Sequence, residues 1–112
     1  MNWNETRTKL LEINAGLELP ENWQWRLNLG EANLGGADLR RANLRRANLG
    51  EANLRGATLC KAFVREANLK MANLDLANLN TTNLTGAIVT DEQLATAESL
   101  EGATMPDGTK HE

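Results

Sequence analysis

The chain has 112 residues, a formal net charge of −3 and a charged fraction of 24%, which fits one domain and excludes a solvated, disordered polyelectrolyte. Only Phe63 and three tryptophans, Trp3, Trp23 and Trp25, are aromatic, too little bulk for a conventional core, so a core assembled from repeated small units is expected. One cysteine, Cys60, excludes an internal disulfide, and no stretch reads as a signal peptide or a membrane span, so a soluble, cytoplasmic protein is expected.

From the N-terminus, "NETRTKLLEINAG" reads as a short helix with Asn4 as N-cap and Gly16 as its stop. After Pro20 the alternation Trp23, Trp25, Leu27, Leu29 reads as an extended run leading into the next element. Residues 1–26 are therefore expected to form a capping segment whose tryptophans cover apolar side chains.

A repeat of five then governs the chain. Its centres are Leu29, Leu34, Leu39, Leu44, Leu49, Leu54, Leu59, Val64, Leu69, Leu74, Leu79, Leu84 and Val89, thirteen units without a slip. Two residues before each centre stands alanine, except for Leu27 and Thr82. The residue between them is Asn or Asp in ten units, with Thr58, Phe63 and Ile88 as the departures. Five matches neither the helical period of 3.6 nor the strand period of 2, so the chain must turn a corner every five residues to keep the same two positions inward. Alanine and the centre then fill the interior, and the remaining three positions face water. Asn and Asp suit the corners because they hydrogen-bond nearby backbone and tolerate unusual dihedrals. Gly30, Gly35, Gly36, Gly50, Gly56 and Gly86 fall at the two positions after each centre, where turns are expected. The interior is expected to be full, without pore or cavity, and the hydroxyl of Thr82 is expected to bond a local carbonyl.

The run "ANLGGADLRRANLRRANLGEANL", residues 32–54, resembles the pentapeptide-repeat family, whose motif is A-(D/N)-L-X-X. The resemblance implies an all-β solenoid, a right-handed quadrilateral β-helix in which four units make one square coil. Residues 27–91 would give about three coils, with short α-helical caps at both ends.

Beyond the repeat, "TDEQLATAESL" places Thr90 and Gln93 in capping-box spacing ahead of Leu94 and Ala97, which predicts a helix over roughly 91–98. Leu100 and Met105, with Ala103 two before Met105, read as two resumed units closed by a Pro-Asp-Gly turn. Residues 92–112 are thus expected to hold the helix, closing turns and tail, and resemble the closure of short cyanobacterial members of the family.

The residue types needed for chemistry are scarce. Residues 27–90 contain no histidine, serine or tyrosine, and His111 reads as part of a disordered tail. Cys60 lies at an outward position with Arg40 one coil below as its nearest influence, and reads as an inert surface thiol. Glu31 and Glu51 should stack on one face, as solvated charge. No catalytic, cofactor or metal site is expected, and the chain is not expected to be an enzyme.

Charge is more informative. Residues 27–90 carry eight basic and five acidic side chains, 8 − 5 = +3, while residues 91–112 carry one and six, 1 − 6 = −5. Stacking by twenty sets Lys61 over Arg41 and Arg65 over Arg45, and with Arg40 and Arg46 beside them two neighbouring faces should form a basic patch. It is a candidate docking surface for an acidic protein segment. An apolar trail of Phe63, Met71, Leu76 and Ile88 is weaker; Ile88 should pack under the C-terminal helix, Phe63 should meet nothing, and Met71 and Leu76 are the apolar candidates. The expected function is a non-enzymatic protein-interaction or scaffold module, monomeric rather than dimeric, with a protein partner rather than nucleic acid or membrane. The alternative that the resemblance implies is a DNA mimic that protects a type II topoisomerase; three coils and a basic wall argue against it.

Overall fold

The computed structural model describes residue 8, residues 10–12 and residues 27–112. One device turns the chain every five residues. In each unit from Leu29 to Leu84 the amide three residues beyond the centre donates to the centre's carbonyl oxygen, as Ala32 does to Leu29 and Ala57 to Leu54, both at 3.0 Å. The second residue after each of these centres has a positive φ, from 56° at Thr81 to 71° at Gly86. That hydrogen bond with that dihedral is a type II turn. Nine of these twelve turn residues are not glycine, among them Arg41, Met71 and Leu76. The unusual dihedral therefore falls on the second residue after the centre and not on Asn or Asp, which corrects the expectation for those residues. The Asn and Asp side chains instead accept the backbone N–H two residues on, as Asn48 does from Gly50 at 2.9 Å and Asn68 from Lys70 at 2.9 Å, and so brace the turn from outside it. Of the glycines expected at corners, Gly36, Gly56 and Gly86 take the positive φ. At Gly86 a Cβ would also lie 3.2 Å from Cγ of Glu66.

Turns at this interval bring residues twenty apart side by side. Nine parallel bridges link such pairs, from Asn28 with Asn48 to Asn68 with Ile88. Twenty residues are four units, so each coil has four walls. Their outward rungs are Asn28, Asn48, Asn68 and Ile88 on the first wall, Asn33, Asn53 and Asn73 on the second, Asp38, Thr58, Asn78 and Ser99 on the third, and Asn43, Phe63, Asn83 and Thr104 on the fourth. The side-chain amide of Asn48 donates to Asn28 at 3.2 Å and that of Asn53 to Asn33 at 3.3 Å, adding side-chain ladders to the backbone ones.

Every alanine and every centre from Ala32 to Leu84 is at least 92% buried, and Val89 is half-buried against the same cluster. Burying each leucine stabilises the stack by roughly 1.5–3 kcal/mol, and the neighbouring small position is alanine because interiors pack near crystal density. Thr82 is fully buried, but its hydroxyl does not reach a local carbonyl: it donates at 2.6 Å to Leu59, one coil below.

At the N-terminal side, residue 8 and residues 10–12 are helical, and Leu10 is fully buried in the core cluster. The expected N-cap Asn4, the stop at Gly16, and Trp3, Trp23 and Trp25 lie outside the described residues. The second wall ends differently from the others. In place of a fourth rung stands the helix Asp91–Ala95, three residues shorter than expected because Thr96 caps it and the Glu98 amide returns to the ladder on Ala77 at 2.8 Å. Thr90 and Gln93 form the capping box. Beyond the helix the bridges Asn78 with Ser99 and Asn83 with Thr104 are spaced by twenty-one, so the insertion adds one residue to the register. The chain then turns through Pro106, Asp107 and Gly108, with the Met105 amide bonded to Thr109 at 2.7 Å, and runs back antiparallel, Thr104 bridging Lys110. His111 is therefore not a disordered tail residue: its backbone donates to Ala103 at 2.7 Å and accepts from Gly102 at 2.8 Å. No helix among the described residues is long and apolar enough to cross a membrane.

Candidate functional site

The register decides where the basic residues meet. Residues 41–45, 61–65 and 81–85 are successive rungs of the fourth wall, and they read Arg-Ala-Asn-Leu-Arg, Lys-Ala-Phe-Val-Arg and Thr-Thr-Asn-Leu-Thr. Arg41 and Lys61 stand at one edge of this wall, Arg45 and Arg65 at the other, and no acid occurs in the three rows. All four are exposed. The basic residues thus frame one wall, where two neighbouring faces were expected. Rungs lie about 4.8 Å apart, so each stacked pair holds two like charges close together, a local field that favours a counter-charged partner.

Arg40 and Arg46 lie just outside these edges and are occupied. Arg40 grips Asp38 in a two-pronged contact, Nε to Oδ1 at 2.9 Å and Nη2 to Oδ2 at 2.8 Å. The Asp38 carboxylate raises the Arg40 pKa above the usual arginine value, by hydrogen bonding first and by charge second. Arg46 Nε reaches Glu66 Oε2 at 3.2 Å, and Arg55 Nη1 reaches Asp75 Oδ2 at 3.4 Å. These pairs are exposed and contribute little to stability; their effect is to cancel charge around the fourth wall, while Arg45, Lys61 and Arg65 keep theirs. Among the described residues Arg45, Lys61 and Arg65 form no ion pair.

The residue that sequence reasoning set aside sits in the middle. Phe63, expected to meet nothing, is 37% exposed at the centre of the wall and carries the Arg45 guanidinium over its ring, 5.0 Å from the centroid. Its signal in the sequence was the departure from Asn in a row flanked by Lys61 and Arg65.

The other candidates are dispersed. Ile88 does not pack under the helix; it is 59% exposed, because it occupies the outward rung of the first wall while the helix closes the second. Met71 is 70% and Leu76 53% exposed, at successive corners. Met71, Ile88 and Val89 line an open furrow of about 350 Å³ together with Lys70, Thr90 and Gln93. Glu31 and Glu51 stack at one corner, their amides bonded to Gly50 and Lys70 at 2.9 Å each. Cys60 is half-buried and free. Among the described residues no group of three or more His, Cys, Asp or Glu side chains could hold a metal ion.

Comparison with known proteins agrees with this geometry. The family model for pentapeptide repeats matches in eight copies over residues 26–59 and 65–91. No curated protein matches the chain. Among solved structures, a pentapeptide repeat protein from Nostoc PCC 7120 is similar at 27% identity and a TM-score of 0.61, covering 88% of this chain and 74% of that one. HetL, a pentapeptide repeat protein of the same cyanobacterium involved in heterocyst differentiation regulation, is 36% identical over 85% of this chain, with a TM-score of 0.36; this chain spans 46% of its length. A pentapeptide repeat protein from the Arabidopsis thaliana thylakoid lumen is 23% identical, covering 81% of this chain and 70% of that one, with a TM-score of 0.32.

Proposed function

This chain belongs to the pentapeptide repeat family, and we propose that it works as a non-enzymatic interaction or scaffold module: a short right-handed square rod of about three uninterrupted coils, helically capped at both ends, whose fourth wall docks an acidic segment of a partner protein. The observation that carries this reading is the wall itself, with Arg41, Arg45, Lys61 and Arg65 at its edges and no acid in their rows. The alanines and leucines buried in the described coils support a surface role, since they are the side chains that fill the interior. A free Cys60 without a disulfide partner suits a reducing compartment, and we place the protein in the cytoplasm. A monomer fits the wall, because pairing it with its own copy would oppose like charges. DNA mimicry at a type II topoisomerase ranks below this reading, since a mimic needs negative charge along the rod where this one is basic.

The test is affinity capture with two baits, the wild type and a variant with Arg41, Arg45, Lys61 and Arg65 changed to glutamate. The reading expects a partner held by the wild type alone, released by salt, and cross-linked to Lys61 through an acidic segment. The same partner on both baits would remove the wall from the function.

A further inference from the structure

We propose that the rung of residues 61–65 on the fourth wall receives an extended acidic peptide carrying a carboxylate, an apolar side chain and a second carboxylate at alternate positions. The inference rests on the reading that this wall is the docking face, and adds what occupies it.

Phe63 supplies the first reason. Ten Asn and Asp side chains at the equivalent outward position each accept the backbone N–H two residues on, as Asn53 does from Arg55 at 3.0 Å and Asn73 from Asp75 at 2.9 Å. Phenylalanine gives up that bond and leaves more than a third of its surface in water. Of the three departures from Asn or Asp, Thr58, Phe63 and Ile88, Phe63 is the one that stands in a row flanked by two cations, where an exposed ring replaces the local brace. The second reason is the Arg45 guanidinium, which lies over the Phe63 ring. Stacking fixes the plane of the group while its N–H edges stay available, so a carboxylate meets a fork already partly ordered.

Spacing chooses the shape of the occupant. Lys61, Phe63 and Arg65 stand two residues apart, Phe63 on the straight stretch 62–64 and the two cations in the turns that bound it, Lys61 with φ at 62°. An extended chain laid along the rung offers its alternate side chains to one face, in the order cation, ring, cation that the rung presents. Nucleic acid would meet the same charge, but a single exposed ring offers no succession of stacking platforms.

The experiment is fluorescence anisotropy of a labelled synthetic peptide with a Glu-Thr-Leu-Thr-Glu core against the full chain, at low and at physiological ionic strength. Comparison probes have a Gln-Thr-Leu-Thr-Gln core, a Glu-Thr-Ser-Thr-Glu core, or are an oligothymidylate of matched charge. The wild type is expected to bind the leucine-centred acidic peptide roughly threefold to tenfold more tightly than the serine-centred one. Phe63→Asn restores the side-chain brace and should melt no lower than wild type, yet erase that preference while keeping the dependence on charge. The double variant Lys61→Gln, Arg65→Gln should weaken both acidic peptides. A wild type that binds leucine- and serine-centred peptides equally, or a preference that survives Phe63→Asn, overturns this inference and leaves the basic wall standing as a docking face. Equal affinity for the glutamate and glutamine peptides, or tighter binding of the oligothymidylate, overturns both.

Discussion

The side-chain amide of Gln93 donates to the carbonyl oxygen of Ala72 at 3.0 Å, in the place where, one rung below, the backbone amide of Asn73 donates to Ala52 at 2.9 Å. Gln93 stands twenty residues after Asn73, so the register brings it to the right wall, but the helix has taken its backbone away. The same Nε2 donates to Leu69 at 2.7 Å, and Oε1 accepts from the Thr90 amide at 2.9 Å. One side chain thus joins the helix cap to the open edge of the second wall.

Gln93→Ala removes these donors while the Ala72 carbonyl keeps its place at the wall edge. An unsatisfied partly buried acceptor costs about 1–3 kcal/mol, and with the lost capping box we expect a loss of about 2–3 kcal/mol in urea unfolding. Gln93→Glu keeps the acceptor for Thr90 but turns a carboxylate toward two carbonyl oxygens. Its loss should be at least as large at neutral pH and smaller at acid pH. A neutral outcome for both would mean that water closes this edge as well as glutamine does.

The two inward positions are sized against each other. Leu54 and Ala52 are both fully buried in one unit. Leu54→Ala should cost about 3–5 kcal/mol through the cavity it leaves, and Ala52→Leu should also destabilise, by about 1–3 kcal/mol or more. Thermal unfolding of the pair checks this, and a tolerated Ala52→Leu would show that the coil can widen.

Thr81 is β-branched and holds φ at 56°, a region that costs a non-glycine residue about 1–2 kcal/mol. Its hydroxyl recovers part of this through the Asn80 carbonyl at 2.6 Å. Thr81→Gly should therefore raise stability by about 0.5–1 kcal/mol even though glycine frees the unfolded chain. A drop in melting temperature would show that the local hydroxyl bond outweighs the strain.

Asp107 ties the final turn, accepting from the Thr109 hydroxyl at 2.6 Å and from its amide at 2.9 Å. The hydroxyl bond first and the amide bond second lower its pKa below the usual 3.8. A carboxylate bonded in this way contributes fully above that ordinary value and loses its contribution as pH falls through the lowered one. The Thr109 amide resonance should accordingly hold steady down to about the ordinary aspartate range and shift only below it. In Asp107→Asn that acid transition should disappear; its persistence would assign it to another carboxylate.

Much of this molecule is written in one dimension. The period of five, with alanine and leucine at fixed places, determines that the chain corners every five residues and that these two positions are buried, because no other path keeps them out of water. The capping box at Thr90 and Gln93 and the resumed units at Leu100 and Met105 are equally legible, being local patterns with local causes. What only the tertiary structure decided depends on residues twenty apart. It moved the positive φ from Asn and Asp to the residue two after the centre, because a type II turn places its strain there whatever the side chain. It set Arg45 over Phe63, matched Arg46 with Glu66, and gathered the basic residues around one wall. It also sent the Thr82 hydroxyl to the coil below and Gln93 to the vacant rung, since an acceptor left open by stacking has no address in the local sequence.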